Sequence, residues 1–232
     1  MADYPRNDLL VETGWLAEHL TDPNVRVIEM AQDGSDFEAG HIPGAALSPT
    51  WQVKGSEQKR LVAPPDEAKA WFESVGIGDD TLVVGYDRFH SRDASRLWWV
   101  LNYYGHTNVR VLNGGWTKWI AEGRDVEAGP SQVTGGGVTF TPQPPNHDIE
   151  SDVDKLKAAV GADDTVIWDV RTEDEYTGAN SRGNARVGHV PGAAFLEWVH
   201  LVADDDTFKS AEEIEEIARG LGITPEKTVH VY

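Results

Sequence analysis

The chain has 232 residues, with 20 Lys and Arg against 39 Asp and Glu, a formal net charge of −19 and no cysteine. That charge, with no basic patch to offset it, argues against nucleic acid and anionic membranes as partners, and the missing thiols exclude disulfides, thiolate metal sites and a cysteine nucleophile among these residues. Forty per cent of the residues are hydrophobic and nine are Trp, enough for packed cores, while no apolar run approaches the ~20 residues that cross a bilayer.

The start, "MADYPRNDLLVETGW", lacks the basic residues and apolar stretch of a secretory signal, so a cytoplasmic location is expected. The acidic excess fits either a salty habitat or a solubility margin. The eight histidines show no His-x-x-x-His or comparable ligand spacing, and neither a metal nor another cofactor is expected.

In chain order, "VRVIEM" (25–30) reads as a short apolar strand, and "GHIPGAALSPTW" (40–51) as a turn-rich segment after it. "PPDEAKAWFESVGIGDDTLVVGY" (64–86) then predicts a helix followed by a strand. Ala68, Trp71, Phe72 and Val75 follow the i, i+3, i+4, i+7 rule, and Gly76 stands where a helix cap belongs. After Tyr86, "DRFHSRDASRLWWVLNYYGH" places Ala94, Leu97, Trp98, Leu101 and Tyr104 on one helical face, with its tryptophans assigned to packing. "VRVL" (109–112) is a further strand, and "GGWTKWIAEG" a turn leading into a helix. Strands alternating with helices predict a parallel α/β sheet.

The Gly- and Pro-rich stretch "EAGPSQVTGGGVTFTPQPPNHD" (127–148) has no helical period and reads as a linker, with room for a short strand at "VTF" (138–140). Its glycine run precedes no helix and carries no lysine, so a phosphate-binding loop is not expected.

Beyond it the first pattern returns. "TVIWDV" (165–170) matches the first strand, "GHVPGAAFLEW" (188–198) matches 40–51, and "SAEEIEEIARGLGITPEKTVHVY" (210–232) matches 64–86 at a displacement of 146. Ile214, Ile217, Ala218 and Leu221 stand where Ala68, Trp71, Phe72 and Val75 stood; Ser210 with Glu213 reads as a capping box, and Gly222 repeats Gly76. "VADDD" (202–206) reads as a solvated loop, too poor in alternating oxygen ligands for calcium. Two copies of one unit are expected: residues 1–128, a linker over 129–148, and residues 149–232. The second copy has no counterpart to the helices and strand that come after Tyr86, so it is expected to be incomplete, ending inside a domain.

The segments "FEAGHIPGAALSPTW", "YYGHTNVRVLNGGWTKWIAEGR", "VIWDVRTEDEYTG" and "ARVGHVPGAAFLEW", in this order and spacing, resemble the tandem rhodanese-type sulfurtransferases over essentially the whole chain. The resemblance implies two rhodanese-like α/β domains, each a parallel sheet flanked by helices. It implies transfer of sulfane sulfur from a small anionic donor, thiosulfate or 3-mercaptopyruvate, through a cysteine persulfide to a thiol or cyanide acceptor. In the family that cysteine opens a loop after a central strand of the second domain, here the position after Tyr232. Its first-domain counterpart is Asp87, which fits a non-catalytic first domain. By the same resemblance Asp169, Arg171 and Glu175 frame the active site, and Arg182 with Arg186 binds the donor anion, as guanidinium groups suit a sulfonate or carboxylate. Glu175 stands where some members carry an arginine, which tilts the expected donor toward thiosulfate. His41 and His189, each before Pro-Gly, are expected to stabilise a turn by a hydrogen bond. The alternative is a non-catalytic rhodanese-like module for binding or regulation.

Overall fold

The computed structural model describes residues 4–57, 61–133 and 137–232, and these divide into two compact units. The N-terminal unit comprises Pro5–Asn146 with Asp204–Thr207; the C-terminal unit comprises His147–Ala203 and Phe208–Tyr232, with Tyr4.

In the N-terminal unit the elements are β1 (Leu10–Val11), α1 (Thr13–His19), β2 (Val25–Ala31), α2 (Ser35–Ala39), β3 (Ala46–Pro49), α3 (Pro65–Ser74), β4 (Leu82–Tyr86), α4 (Arg92–Tyr103), β5 (Val109–Leu112) and α5 (Gly115–Ala121). Every strand pair is parallel and the sheet order is β1-β5-β4-β2-β3. Helices cover both faces, so the strands read as continuous apolar runs rather than alternating ones. On one face Trp71, Phe72, Leu97 and Leu101 pack with Ile28, Met30 and Val83. On the other, Leu16, Phe37, Ile42 and Trp119 pack with Val27, Val84 and Tyr86.

The C-terminal unit repeats part of this plan with α6 (Val153–Ala159), β6 (Thr165–Asp169), α7 (Glu173–Thr177), β7 (Ala194–Phe195), α8 (Ala211–Gly220) and β8 (Thr228–Val231), in the parallel order β7-β6-β8. The Ser210–Glu213 capping box forms as the sequence predicts. The strand register equates the two copies: Glu29 lies opposite Tyr86 in one, and Trp168 opposite Val231 in the other, so Asp169 falls level with Tyr232.

Two sequence expectations need correction. Residues 138–140 form no strand. Phe140 instead leaves the linker and is buried against Phe72, 4.7 Å between ring centroids, because a large aromatic gains more from a core than from a two-sided exposed strand. The "VADDD" stretch is not wholly solvated: Asp206 is buried and bonds His90 and Thr117, which offsets the cost of removing its carboxylate from water. Of the glycine run, Gly135 and Gly136 lie outside the described residues.

Candidate functional site

In open parallel sheets, chemistry gathers where loops leave the carboxyl ends of the strands. There, in the C-terminal unit, Asp169 ends β6 fully buried. It accepts from the Arg171 backbone N–H at 3.0 Å, from Arg171 Nε at 2.9 Å and Nη2 at 2.6 Å, and from the Tyr232 phenol. Burial pushes the Asp169 carboxyl up, but the hydrogen bonds from Arg171 and Tyr232 outweigh it and hold the group below the usual carboxylate range. Arg171 also donates to Gly188 O at 3.0 Å and stacks over the Tyr232 ring at 5.0 Å. The Val190 N–H donates to Tyr232 Oη at 2.8 Å, so one knot joins the ends of β6 and β8 to the His-Val-Pro-Gly turn.

The same knot is tied in the N-terminal unit with a different thread. Buried Glu29 takes the place of Asp169, receiving the Tyr86 phenol and Arg88 Nε, the latter at 2.7 Å. Arg88 reaches Gly40 O, and the Ile42 N–H donates to Tyr86 Oη at 3.2 Å. Here the arginine comes from the loop after β4, whereas in the second copy it comes from the loop after β6. Aligning the two copies would have shown an acid at the same place in β2 and β6; the change of arginine is not visible in that alignment.

Asp87 heads the loop after β4. Its Oδ1 accepts the amides of Phe89 (2.8 Å) and Ser91 (2.9 Å), and its Oδ2 accepts that of Ala94 (2.8 Å). His90 and Ser91 adopt positive φ to turn these amides inward, and Gly115 is needed behind them, since a Cβ there would lie 2.8 Å from Asp87 O. Burial raises the Asp87 carboxyl, partly offset by the amides, with Asp93 adding to the rise. Asp93, overlooked in the sequence, is itself buried and held by Thr50 Oγ1 at 3.0 Å and Arg92 Nε at 3.0 Å.

Glu175 lies in the first turn of α7, where Thr172 Oγ1 donates to it at 3.0 Å, and Arg182 Nη2 pairs with it at 3.1 Å. The Arg182 side chain is 60% exposed, at a positive φ of 47°. Arg186 is exposed and makes no hydrogen bond or ion pair among the described residues. The structure thus brings Asp169 to Arg171, and Glu175 to Arg182, and leaves Arg186 apart. His41 and His189 behave alike: Nδ1 meets Phe37 O and Tyr176 O respectively, both at 2.9 Å, and each imidazole stacks on that residue's ring, at 3.7 and 3.8 Å. His41 is buried and His189 exposed. His41 lies four positions after Phe37, and His189 thirteen positions after Tyr176. The longer path is the loop that displays Arg182 and Arg186. Among the described residues no group of His, Asp and Glu could hold a metal ion.

The rhodanese-like domain model matches residues 12–122 and 152–232. The chain is similar to the sulfur carrier protein TtuD of Thermus thermophilus, with 34% identity over 99% of this chain and 83% of that protein. It is also similar to a putative thiosulfate sulfurtransferase of Mycolicibacterium smegmatis, with 29% identity over 98% of this chain and 83% of that one. It superposes on SseA from Escherichia coli, described as a 3-mercaptopyruvate sulfotransferase, with a TM-score of 0.82, 25% identity, and coverage of 96% of this chain and 87% of that one. Against other superposed structures the chain spans only 59% to 60% of their length. With two matched segments, two parallel sheets and the same knot at the strand ends of each, the chain belongs to the rhodanese-like domain family.

Proposed function

We propose that this chain is the scaffold and donor-binding part of a sulfurtransferase that takes sulfane sulfur from a small anionic donor, thiosulfate ahead of 3-mercaptopyruvate. A cysteine thiolate would attack the outer sulfur of thiosulfate, the sulfur–sulfur bond would break, and sulfite would leave with the electron pair. The resulting persulfide then passes its sulfur to a thiol or cyanide. The names of the relatives support the reaction class. The observation that carries the assignment of parts is the loop carrying Arg182, present in the second copy and absent from the first, which offers an exposed guanidinium paired with Glu175 on α7. Asp169 and Arg171 frame the site by fixing the β6 end, Glu175 positions Arg182, and Arg186 adds positive potential. Asp87 makes the first unit non-catalytic, because its carboxylate already fills the amide-lined place where a sulfur anion would sit.

These 232 residues contain no cysteine, which favours a second reading, a non-catalytic rhodanese-like module for binding or regulation. Both readings expect no thiosulfate:cyanide turnover from the purified chain, read as thiocyanate formed; turnover above blank would overturn both. The gene decides between them. A cysteine codon directly after that of Tyr232, with an arginine within about five residues to stabilise the thiolate, supports the enzyme; any other residue there leaves the module.

A further inference from the structure

The two copies of the His-Ile/Val-Pro-Gly turn differ in what lies on them. In the N-terminal unit the chain around Glu127 runs antiparallel to the turn. The His41 N–H donates to Glu127 O at 2.8 Å, and the Glu127 N–H returns to His41 O at 3.0 Å. The Glu127 carboxylate accepts the Gly44 N–H at 2.9 Å and lies 3.9 Å from His41 Nε2. Val126 fills the space over Gly40, where a Cβ would stand 2.9 Å from its Cγ1. Under this cover His41 is only 1% exposed. An apolar residue followed by an acid thus meets the turn through two backbone bonds, one carboxylate and one side-chain contact.

In the C-terminal unit the turn is built alike but stands open. Gly192 matches Gly44, at φ values of 79° and 74°, and His189 stacks on Tyr176 as His41 does on Phe37. Arg171 binds Gly188 O as Arg88 binds Gly40 O. Yet the N–H and C=O of His189 and the N–H of Gly192 make no hydrogen bond among the described residues. A Cβ at Gly188 would meet nothing within 4 Å. These groups lie at the surface: His189, Pro191 and Gly192 are exposed, and Val187 beside them is 63% exposed. Their surroundings suit an acid. No Asp or Glu occurs from Tyr176 to Leu196, although the chain has 39, and Arg182 and Arg186 are exposed within that stretch.

We propose that the His189–Gly192 turn docks an extended segment of a partner protein in which an apolar residue precedes a Glu or Asp. The segment pairs antiparallel with the backbone of His189. Its carboxylate accepts the Gly192 N–H beside the His189 imidazole, and its apolar side chain covers Gly188 next to Val187. Backbone bonds supply affinity in such strand addition, and the side chains on either side supply selectivity. Two exposed arginines on an acidic molecule draw an acidic segment to this place and no other acidic surface to the rest. The inference stands under either functional reading, since it uses neither a donor nor a cysteine.

The acetylated and amidated peptide of residues 124–130, Arg-Asp-Val-Glu-Ala-Gly-Pro, is a suitable probe. It is titrated into the isotope-labelled chain at fixed ionic strength, with backbone amides followed by NMR. We expect saturable shifts of the His189 and Gly192 amides with a dissociation constant of about 1 mM. His41 and Gly44, already partnered, should not move. Methylating the peptide's Glu nitrogen removes the donor to His189 O and should abolish binding, and Glu127→Gln in the peptide should weaken it about fivefold. In the chain, Val187→Asp at an exposed position should weaken it by a similar factor. The proposal is overturned if no saturable shift appears up to about 10 mM, if the methylated peptide binds equally, or if the Gly44 amide moves as much as that of Gly192. If the His189 and Gly192 amides move instead with protein concentration and no peptide, a second copy occupies the turn and the assignment to a partner falls.

Discussion

Asp87 shows how one side chain can gather the amides of the loop that follows it. Three amides converge on its carboxylate, so Asp87→Ala would leave three buried donors unpaired and should cost about 3 kcal/mol in urea unfolding. Asp87→Cys tests the cradle more directly, since the variant would carry a single thiol. Burial already outweighs the amides at the Asp87 carboxyl, so that thiol should titrate above the ~8.5 of a free cysteine, read from the pH dependence of alkylation. A value below it would show that the converging amides outweigh burial for a thiolate. At Glu175 the expectation runs the other way. Arg182 pairs with its carboxylate; if Arg182 binds the donor as proposed, that carboxylate competes with the donor anion, so Glu175→Gln should tighten thiosulfate binding several-fold and Arg182→Ala should weaken it, measured by calorimetry. Asp169 sets a pH dependence. Its pKa is depressed in the fold, so its contribution to stability is full above the unfolded value of ~3.9 and is lost as pH falls through that value and then the lower folded one. Asp169→Asn should flatten that acid limb. Asp169 was legible from its place at a strand end. The amides around Asp87 were not, because backbone positions that turn inward at positive φ leave little trace in residue type.

Among the elements, α3 and α8 were equally legible and turned out differently. Both carry the same apolar spacing, and both end at a glycine of positive φ, Gly76 and Gly222. In α3 Ala68, Trp71 and Phe72 are buried, whereas no residue of α8 is buried, and Ile214, Ile217 and Ala218 are half-covered. Periodicity reveals which face is apolar, but how far that face is covered depends on partners elsewhere in the chain. β4 lies between β2 and β5, while β8 stands at a sheet edge with Val231 51% exposed. Phe72→Ala should therefore cost ~3–5 kcal/mol, and Ile217→Ala only about 1 kcal/mol, since much of its side chain already meets water. Comparable losses in chemical unfolding would mean that α8 is covered as well as α3. The linker failed as an extended segment for a related reason. A Gly- and Pro-rich composition marks the absence of regular structure, and that is compatible with Phe140 being anchored in a core.

For the whole molecule, the internal repeat made the α/β architecture readable, since a strand–helix alternation found twice in matching order constrains topology more than either half alone. The unequal quality of the two cores lay beyond it. The N-terminal unit packs aromatics and branched side chains on both sheet faces, while the buried cluster of the C-terminal unit is Ala159, Ile167 and Ala193, supported by Leu156, Val190 and Tyr232. Ile149, Val153, Val160 and Val187 of that unit remain exposed. Less apolar area leaves water there, so at ~25 cal/mol per Å² the second unit gains less per residue while ordering its backbone at a similar entropic cost. The two units should then open separately. Seven of the nine tryptophans lie before the linker, with only Trp168 and Trp198 after it, so fluorescence reports mainly the N-terminal unit and far-ultraviolet circular dichroism reports both. Urea should lower the dichroism signal before most of the fluorescence changes, and amide hydrogens beyond about residue 150 should exchange by openings of smaller free energy. Coincident transitions by the two probes, with uniform protection along the chain, would instead mean that the molecule unfolds as one cooperative body and that the smaller core is no weak point.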